Sequence, residues 1–447
     1  MPMSRLTTRR SAMKLGAAAA ALPLVHIRSA GAAGKLSFGF WDHWVPEGNA
    51  VMKKQVDAWA DKNKVEVQTD FITSVGNKLL LTASAEAQAG AGHDIMAFVE
   101  WDAHNNADKL LPVDDLMKRL TDKYGEPDKV SQYLGRAKDH WFAVPTSSGS
   151  QNKPPCARIS MMKNYCGMDV QAMYPASENS GEAAAAWTWD ALATAAEKCQ
   201  KAGYPFAMGL GQTTDSVDAI GALFAAFGAD LIDGEGKIQV HSDNVRQVLE
   251  YSQKLVKFLP DDAVSYDDAS NNRALIAGKS ALIFNPPSAW AVAVRDAPDV
   301  AKDCWTFSAP AGPKGRFVPH QTYFWGIWKF SQNQSAAKDL IEYLLQREQV
   351  EARDNVVQGY DLPPFPSMND FKIWETVEPP KGTVYNYPIR SWHKAEPSVS
   401  GSSASPDVAV QMYNRGTMPT MLAKLKSGQS IKDVIAWASD ELEGFTR

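Results

Sequence analysis

The chain has 447 residues, of which 45% are hydrophobic and 22% are charged, as in an ordinary globular protein. Its formal net charge at pH 7 is −5, and it becomes −10 without the first 33 residues, which hold five basic side chains and no acidic one. Nucleic acids and anionic membranes attract basic surfaces, so this acidic balance disfavours both as partners. One hydrophobic core rarely fills a chain of this length, so two domains are expected.

The N-terminal stretch has the three parts of an export signal. Arg9-Arg10 precede an alanine-rich apolar segment without acids, and the small residues Ala30 and Ala32 suit a signal peptidase. The apolar segment is too short and too interrupted to span a bilayer, which needs about 20 apolar residues. We interpret residues 1–33 as a twin-arginine signal peptide and expect the protein in the periplasm. No cysteine lies near the cleavage point, which disfavours a lipid anchor.

The four cysteines, Cys156, Cys166, Cys199 and Cys304, are too few for a disulfide scaffold in a chain of this length. In an oxidising compartment they allow one or two bridges, and both Cys156–Cys166 and Cys166–Cys199 pairings are open. Buried free thiols are the alternative. Twin-arginine cargo folds before export, so any bridge would form on a structure that already exists.

Apolar patterning predicts strands and helices that alternate along the chain. Strands are predicted where every second residue, or every residue, is apolar: 36–41, 65–71, 95–99, 281–284 and 323–328. Helices are predicted from apolar residues at helical spacing or from a capped start such as Thr188: 51–60, 77–89, 189–201 and 334–347. The continuous run Ile95–Val99 is typical of a strand buried on both faces of a parallel sheet. The alternation predicts an α/β fold.

Most signatures of catalysis, cofactors and metals are missing from the sequence. Gly278-Lys279-Ser280 resembles the end of a phosphate-binding loop, but Arg273 occupies the position where that loop needs a glycine. The eight histidines lack zinc-site spacing, and the chain contains no Gly-x-Ser-x-Gly motif. We therefore expect no cofactor and no metal. A pair of glycosidase carboxylates stays open, because a sequence gives no distances between acids.

The fourteen tryptophans are about twice what average composition provides. Trp41, Trp44, Trp101 and Trp290 follow predicted strand ends, where open α/β sheets bind ligands. A flat indole packs well on the C–H face of a sugar ring while nearby polar groups bond its hydroxyls. The alternative is that an individual tryptophan fills the core, which is the expectation for Trp59 and Trp328.

The order of short motifs resembles a known family, the extracellular solute-binding proteins of bacterial ABC importers, in its large sugar-type group (family 1). The resemblance covers nearly the whole chain after the leader. The motifs that carry it are Phe38–Trp41, Gly92–Ile95, Leu111–Leu116, Trp141–Thr146, Trp187–Leu192, Ala277–Leu282 and Ala336–Ile341.

This resemblance implies a two-lobed periplasmic-binding-protein (type II) fold with a hinged cleft between the lobes. It implies lobe one from 34–145 and 281–315, and lobe two from 146–280 and 316–447. The chain would cross between lobes near Val144-Pro145, Phe284 and Phe317. The implied function is capture of a sugar or oligosaccharide in the periplasm and delivery to the permease subunits of an ABC importer. The resemblance implies no enzymatic activity, and we expect a monomer.

The ligand-binding residues predicted for the cleft are Trp41, Asp42, Trp44, Glu100, Trp101, Ser147, Asn285, Trp290, Tyr323 and Trp325. Two segments depart from the family pattern where ligand contacts are expected, 158–162 and 285–290. The ligand class therefore stays open. The alternatives are a non-sugar solute, such as a polyol, an amine, or an aromatic or carboxylated compound that Arg158 or Arg273 would clamp, and a secreted glycoside hydrolase.

Overall fold

The structure, a computed structural model, describes residues 34–176, 181–376 and 396–445, so the predicted leader lies outside the described residues. The strands in these ranges are β1 Lys35–Trp41, β2 Glu66–Ile72, β3 Ile95–Val99, β4 Arg136–Ala137, β5 His140–Trp141, β6 Val144–Asn152, β7 Cys156–Arg158, β8 Leu282–Ile283, β9 Cys304–Thr306, β10 Ala311–Gly312, β11 Gly315–Ile327 and β12 Glu396–Ser398.

Helices cover the faces of these strands. They are α1 Pro46–Asn63, α2 Lys78–Ala89, α3 Trp101–His104, α4 Asp114–Tyr124, α5 Lys129–Gly135, α6 Ile159–Met161, α7 Gly181–Ala186, α8 Trp189–Lys201, α9 Thr214–Phe227, α10 Asp243–Leu255, α11 Ser270–Ile276, α12 Pro286–Asp296, α13 Pro298–Lys302, α14 Gln334–Leu344, α15 Arg347–Val356, α16 Ile373–Thr376, α17 Pro406–Asn414, α18 Thr417–Lys426 and α19 Ile431–Phe445. Within the part of the chain that the structure describes, none of these helices is long and apolar enough to cross a membrane.

The larger sheet has seven strands and forms the base of lobe one. β1 lies between β2 and β3 and runs parallel to both, while β11 runs antiparallel to β3 and to β6. All five residues of β3 are buried, as its uninterrupted apolar sequence predicts. Because β1 and β3 are parallel neighbours, Trp41 and Val99, their last residues, lie at the same edge of the sheet.

Lobe two is built on a smaller sheet in the order β8-β7-β9, with both pairings antiparallel. Its helix α8 begins where the sequence predicts, because the Thr188 hydroxyl accepts a hydrogen bond of 3.2 Å from the Ala191 N–H. Helix α9 is buried on nearly all sides and packs against β11, α10 and α18. The C-terminal helices α17, α18 and α19 pack on one another, and α18 also packs on α10.

Strand pairing divides the chain differently from the predicted boundaries. Two strands within 281–315, β8 and β9, pair with β7 in the lobe-two sheet, whereas residues 323–327 of β11 pair with β3 and residues 323–325 also with β6 in lobe one. The predicted boundaries instead assign 281–315 to lobe one and 316–447 to lobe two. Phe284 likewise stacks on Trp189 inside lobe two, at 5.9 Å between ring centres, and is not a crossing. The strands that link the lobes are β6, which leads to β7, and β11, whose first half pairs with β10 and β12.

All four cysteines are buried thiols, and two of them are close together. The sulfur atoms of Cys166 and Cys199 lie 3.0 Å apart, which is closer than two sulfurs at an ordinary packing contact and farther than a bond of about 2.05 Å. Cys156 and Cys304 sit on the adjacent strands β7 and β9, two residues out of register, and their side chains are close enough to hydrogen-bond. Of the two pairings that the sequence leaves open, only Cys166–Cys199 brings its sulfurs into contact among the residues described.

We expect Cys166 and Cys199 to form a disulfide when the folded protein is treated with oxidised glutathione, since only a small approach of the two sulfurs is needed. The bridge would close a loop of about 30 residues and raise the free energy of unfolding by about 3 kcal/mol. Peptide mapping by mass spectrometry under non-reducing conditions checks this, and Cys199→Ser is the control. A bridge through Cys156 instead, or no bridge, would contradict it.

Candidate ligand-binding cleft

A cavity of about 180 Å³ lies between the two lobes. Lobe one contributes residues near the start of α2 and around the end of β3, including Val99 and Asp102. Lobe two contributes the start of α9, the loop before α11 and the end of α17, including Thr214, Asp268 and Tyr413. The cavity therefore lies beyond the carboxyl ends of the parallel strands, where open α/β folds bind ligands. It is smaller than the roughly 300–1,000 Å³ of sites for drug-sized ligands, which indicates a small solute.

The turn that follows β3 brings Glu100 beneath this cavity in an unusual conformation. Glu100 has φ 43° and ψ −118°, a backbone conformation that a residue with a side chain rarely adopts. It is fully buried, and neither carboxyl oxygen accepts a hydrogen bond from an N–H or O–H donor of the described residues. Burial, and then the negative charge of Asp218, raise the pKa of Glu100 well above its usual value. The carboxyls of Glu100 and Asp218 can hydrogen-bond to each other only when one of them is protonated.

A buried lysine, Lys153, lies beside Glu100. It directly follows β6, which links the lobes, and forms ion pairs with α9 of lobe two. The Lys153 ammonium donates to Asp215 Oδ1 and Asp218 Oδ2, each at 2.8 Å, and its side chain is only 1% exposed. Burial alone would lower the pKa of Lys153, but Asp215 and Asp218 raise it well above the usual value. The two aspartates share one face of α9 because they are three residues apart. Thr213 begins that helix by accepting a hydrogen bond from the Ser216 N–H at 3.2 Å.

Two further carboxyls line the cavity from opposite lobes. Asp102 is 8% exposed, and its carboxyl accepts no hydrogen bond from the described residues, while Asp268 has a buried Oδ1 without a hydrogen-bond partner there. Burial and then the charge of Asp268 raise the pKa of Asp102 to about 7. Burial and then Asp215 raise the pKa of Asp268 to about 7 as well. Strongly shifted carboxyls that converge in a cleft are typical of a functional site.

None of the ten residues predicted for ligand binding lines this cavity, and four of the five tryptophans among them are buried. Trp41 is 3% exposed, packs on Tyr323 with ring centres 4.9 Å apart, and its indole N–H donates to Ser74, which does line the cavity. Trp101 is fully buried against Tyr133. Trp325 is a core residue packed edge-on against Phe38 and Phe40, and Trp290 is also buried. Trp44 alone of the five is partly exposed.

Among the other polar residues of the predicted ten, Asn285 and Ser147 are buried and Asp42 is exposed. Asn285 lies near the site, since its side-chain amide donates to Asp215 at 2.9 Å, and Ser147 is buried with an unpartnered hydroxyl. Asp42 is exposed and accepts from Asn49. The two arginines proposed as clamps for an anion are engaged elsewhere, Arg158 with Asp303 and Arg273 with Asp267, each at 2.7 to 2.8 Å. Direct ligand contact by the ten residues stays a prediction.

Sequence reasoning missed Asp102, Lys153, Asp215, Asp218 and Asp268. One signal was available, because Asp215 and Asp218 occupy one face of an otherwise apolar helix, where isolated acids need a partner. Lys153 gives no comparable signal: it is a single lysine between Asn152 and Pro154.

A larger groove of about 470 Å³ lies on the outside of lobe two, lined by residues such as Trp189, Tyr251 and Pro313. Its lining residues belong to α8, α9, α10 and the segment around β10, and none of them lies on β1, β2 or β3 or in the turns that follow those strands. A site that responds to lobe closure must involve both lobes, so the interlobe cavity is the better candidate for the ligand site.

The two sheets, the linking strands and the cavity between the lobes define a two-lobed periplasmic-binding-protein fold, which confirms the predicted fold class. The chain belongs to the bacterial extracellular solute-binding protein family, whose sequence profile matches residues 44–351. A Deinococcus radiodurans protein named "Probable ABC transporter-binding protein" is 29% identical over 181 residues, which are 37% of this chain and 42% of that relative. The match thus spans less than half the length of the relative.

Solved structures with the same fold extend over almost the whole chain. Maltose-bound MalE3 of T. maritima is 20% identical with a TM-score of 0.70, and the alignment covers 92% of this chain and 99% of that one. A sugar transporter from Arthrobacter chlorophenolicus A6 with bound laminaribiose is 17% identical with a TM-score of 0.70 and the same coverage. A solute-binding protein from Thermotoga lettingae TMO bound with alpha-D-tagatose is 15% identical, with a TM-score of 0.73 and coverage of 93% and 100%.

Proposed function

We propose that this protein is the solute-binding component of an ABC import system and captures a small carbohydrate outside the cytoplasm. The observation that carries the proposal is the cavity between the lobes, with carboxyl and hydroxyl groups supplied from both sides. Family membership and the carbohydrates in the three similar structures support it. Closure of the lobes around the solute would present the loaded form to the permease subunits in the membrane. The protein acts as a monomer and does not transform its ligand.

A thermal-shift panel of neutral sugars, amino sugars, polyols, carboxylates and aromatic acids tests this function. A ligand present at 100 times its dissociation constant should add about 2.7 kcal/mol to the free energy of unfolding. We expect a carbohydrate-type compound to raise the melting temperature. If only carboxylates or aromatic acids raise it, the carbohydrate proposal is wrong.

The export route gives a separate prediction. Replacing Arg9-Arg10 by Lys-Lys should leave uncleaved precursor in the cytoplasm, because the paired arginines are what the twin-arginine pathway reads. Fractionation and immunoblotting measure the distribution, and Arg5→Lys is the control with an equal charge. Export of the double variant at the normal level would indicate the general secretory route.

A further inference from the structure

The cavity between the lobes is acidic on both sides. Among its lining residues the only ionisable carboxyls are Asp102 and Asp268, and no lysine, arginine or histidine lines it within the described part of the chain. The nearest buried cation, Lys153, is already engaged by Asp215 and Asp218. An anionic solute would therefore meet two carboxyls and no free positive charge.

Each of the two lining carboxyls also has an oxygen that accepts no hydrogen bond from the described residues. Asp102 is more than nine-tenths buried and faces the cavity, yet its carboxyl has no partner among the described residues. On the other side, Asp268 has a buried Oδ1 without a partner in the described part of the chain, while the Asp215 N–H donates to its carboxyl. A buried carboxylate without donors is unfavourable, so such a pair is suited to a ligand that brings donors and a positive charge.

The wider surroundings strengthen this preference. The ionisable groups that interact with the two carboxyls, besides each other, are Glu100 and Tyr413 on the Asp102 side and Asp215, Asp218, Lys153 and Tyr323 on the Asp268 side. Five carboxyls thus converge with a single ammonium. The remaining lining groups include uncharged hydroxyls and amides, such as Thr213, Thr214 and Gln212, which suit the hydroxyls of a sugar or polyol.

We propose that the cleft binds a small polyhydroxylated solute that carries a protonated amine, an amino sugar or amino polyol, with its ammonium between Asp102 and Asp268. The inference rests on the proposed function and narrows its ligand class. The ammonium donates to carboxylates supplied by both lobes, so the charged group of the ligand itself links the lobes in the closed form. Lys153 stays with α9 and does not compete for this position.

The pH dependence of binding has a defined sign. Asp102 and Asp268 have pKa values of about 7 without a ligand, so both are largely protonated at pH 5. A bound ammonium favours the ionised carboxylates, and binding therefore releases protons. Affinity for the amine should rise at least about tenfold from pH 5 to pH 7, over which an ordinary amine stays protonated. Binding of a neutral sugar gains nothing from this ionisation.

The test compares matched sugars on the unmodified, leader-free protein by titration calorimetry at pH 5, 6 and 7. The pairs are glucosamine and glucose, galactosamine and galactose, and mannosamine and mannose, with N-acetylglucosamine as an uncharged amide. We expect one amino sugar to bind at least about tenfold more tightly than its neutral partner at pH 7, with proton release that shows as a dependence of the heat on the buffer.

Two variants locate the ammonium. Asp102→Asn and Asp268→Asn keep the side-chain shape and should each weaken amino-sugar binding at least about tenfold while abolishing much of its pH dependence. Asp299→Asn removes an aspartate that is fully exposed and should leave binding unchanged. If one cleft variant fails to fold, the other variant and the ligand pairs on the unmodified protein still decide the question.

The outcomes separate this inference from the proposed function. Neutral sugars that bind as tightly as their amino partners, or an affinity for the amino sugar that does not rise with pH, would contradict the ammonium site. Either result would still be consistent with a carbohydrate-binding protein. Binding of carboxylates alone, or of no sugar or polyol in either form, would overturn both.

Discussion

Replacing Lys153 by methionine should lower the free energy of unfolding by about 3–5 kcal/mol, because it leaves the buried Asp218 and the partly buried Asp215 without their cation. The ammonium lies 2.8 Å from both Asp215 and Asp218, and its side chain is 1% exposed, so water cannot replace it. Urea unfolding followed by circular dichroism measures the loss. A further Asp218→Asn change should restore part of the lost stability, since it removes one unpaired charge.

Lys201→Met is the matched control for this prediction. Lys201 pairs with Glu197 at 2.6 Å on the surface of α8, with 68% of its side chain exposed, so its removal should cost no more than about 0.5 kcal/mol. A Lys153→Met protein as stable as the Lys201→Met protein would mean that the buried network contributes little to folding.

Replacing Trp101 by alanine should cost about 3–5 kcal/mol of folding stability, as expected for a large side chain removed from a packed core. Trp101 is fully buried, with Tyr133 edge-on at 5.3 Å and His104 at 5.8 Å between ring centres. Any loss of ligand affinity should then follow from disturbance of α3, which carries Asp102. Thermal unfolding of the free protein and titration with the best ligand from the panel measure the two effects separately.

Trp44→Ala is the control for the Trp101 variant, because Trp44 is partly exposed and should affect the melting temperature much less. If Trp101→Ala keeps the melting temperature of the free protein but loses ligand binding, Trp101 stacks on the ligand, as the sequence first suggests, and is not a core residue.

The local elements of the fold could be predicted well from the sequence. The predicted strand 95–99 matches β3 in its bounds, and the predicted helix 189–201 matches α8, because apolar period and a threonine cap are local signals. The partners of short strands could not be predicted in the same way. β8 has two residues, and a buried run of that length fits either sheet; its place beside β7 depends on residues more than a hundred positions away.

The candidate site shows the same limit. Glu100 and Trp101 directly precede the lining residue Asp102, but position after a strand end could not tell a lining residue from a buried one. Trp41 is covered by Tyr323 and Tyr360, which lie far away in the sequence. The carboxyls of α9 and of the loop before α11 form a site only because lobe two packs with these elements facing the end of β3, and no motif in the chain encodes that arrangement.

Titration calorimetry of the purified protein with the best ligand from the panel, followed by recovery of that ligand, tests the central claim most directly. A solute-binding protein should show one site per chain, saturate, and return the ligand chemically unchanged after denaturation of the protein. Asp102→Asn should weaken this binding, since Asp102 lines the cavity between the lobes. Conversion of the ligand to a product would contradict a binding protein. Normal binding by Asp102→Asn, together with loss of binding when the groove on the outside of lobe two is altered, would contradict a ligand site between the lobes.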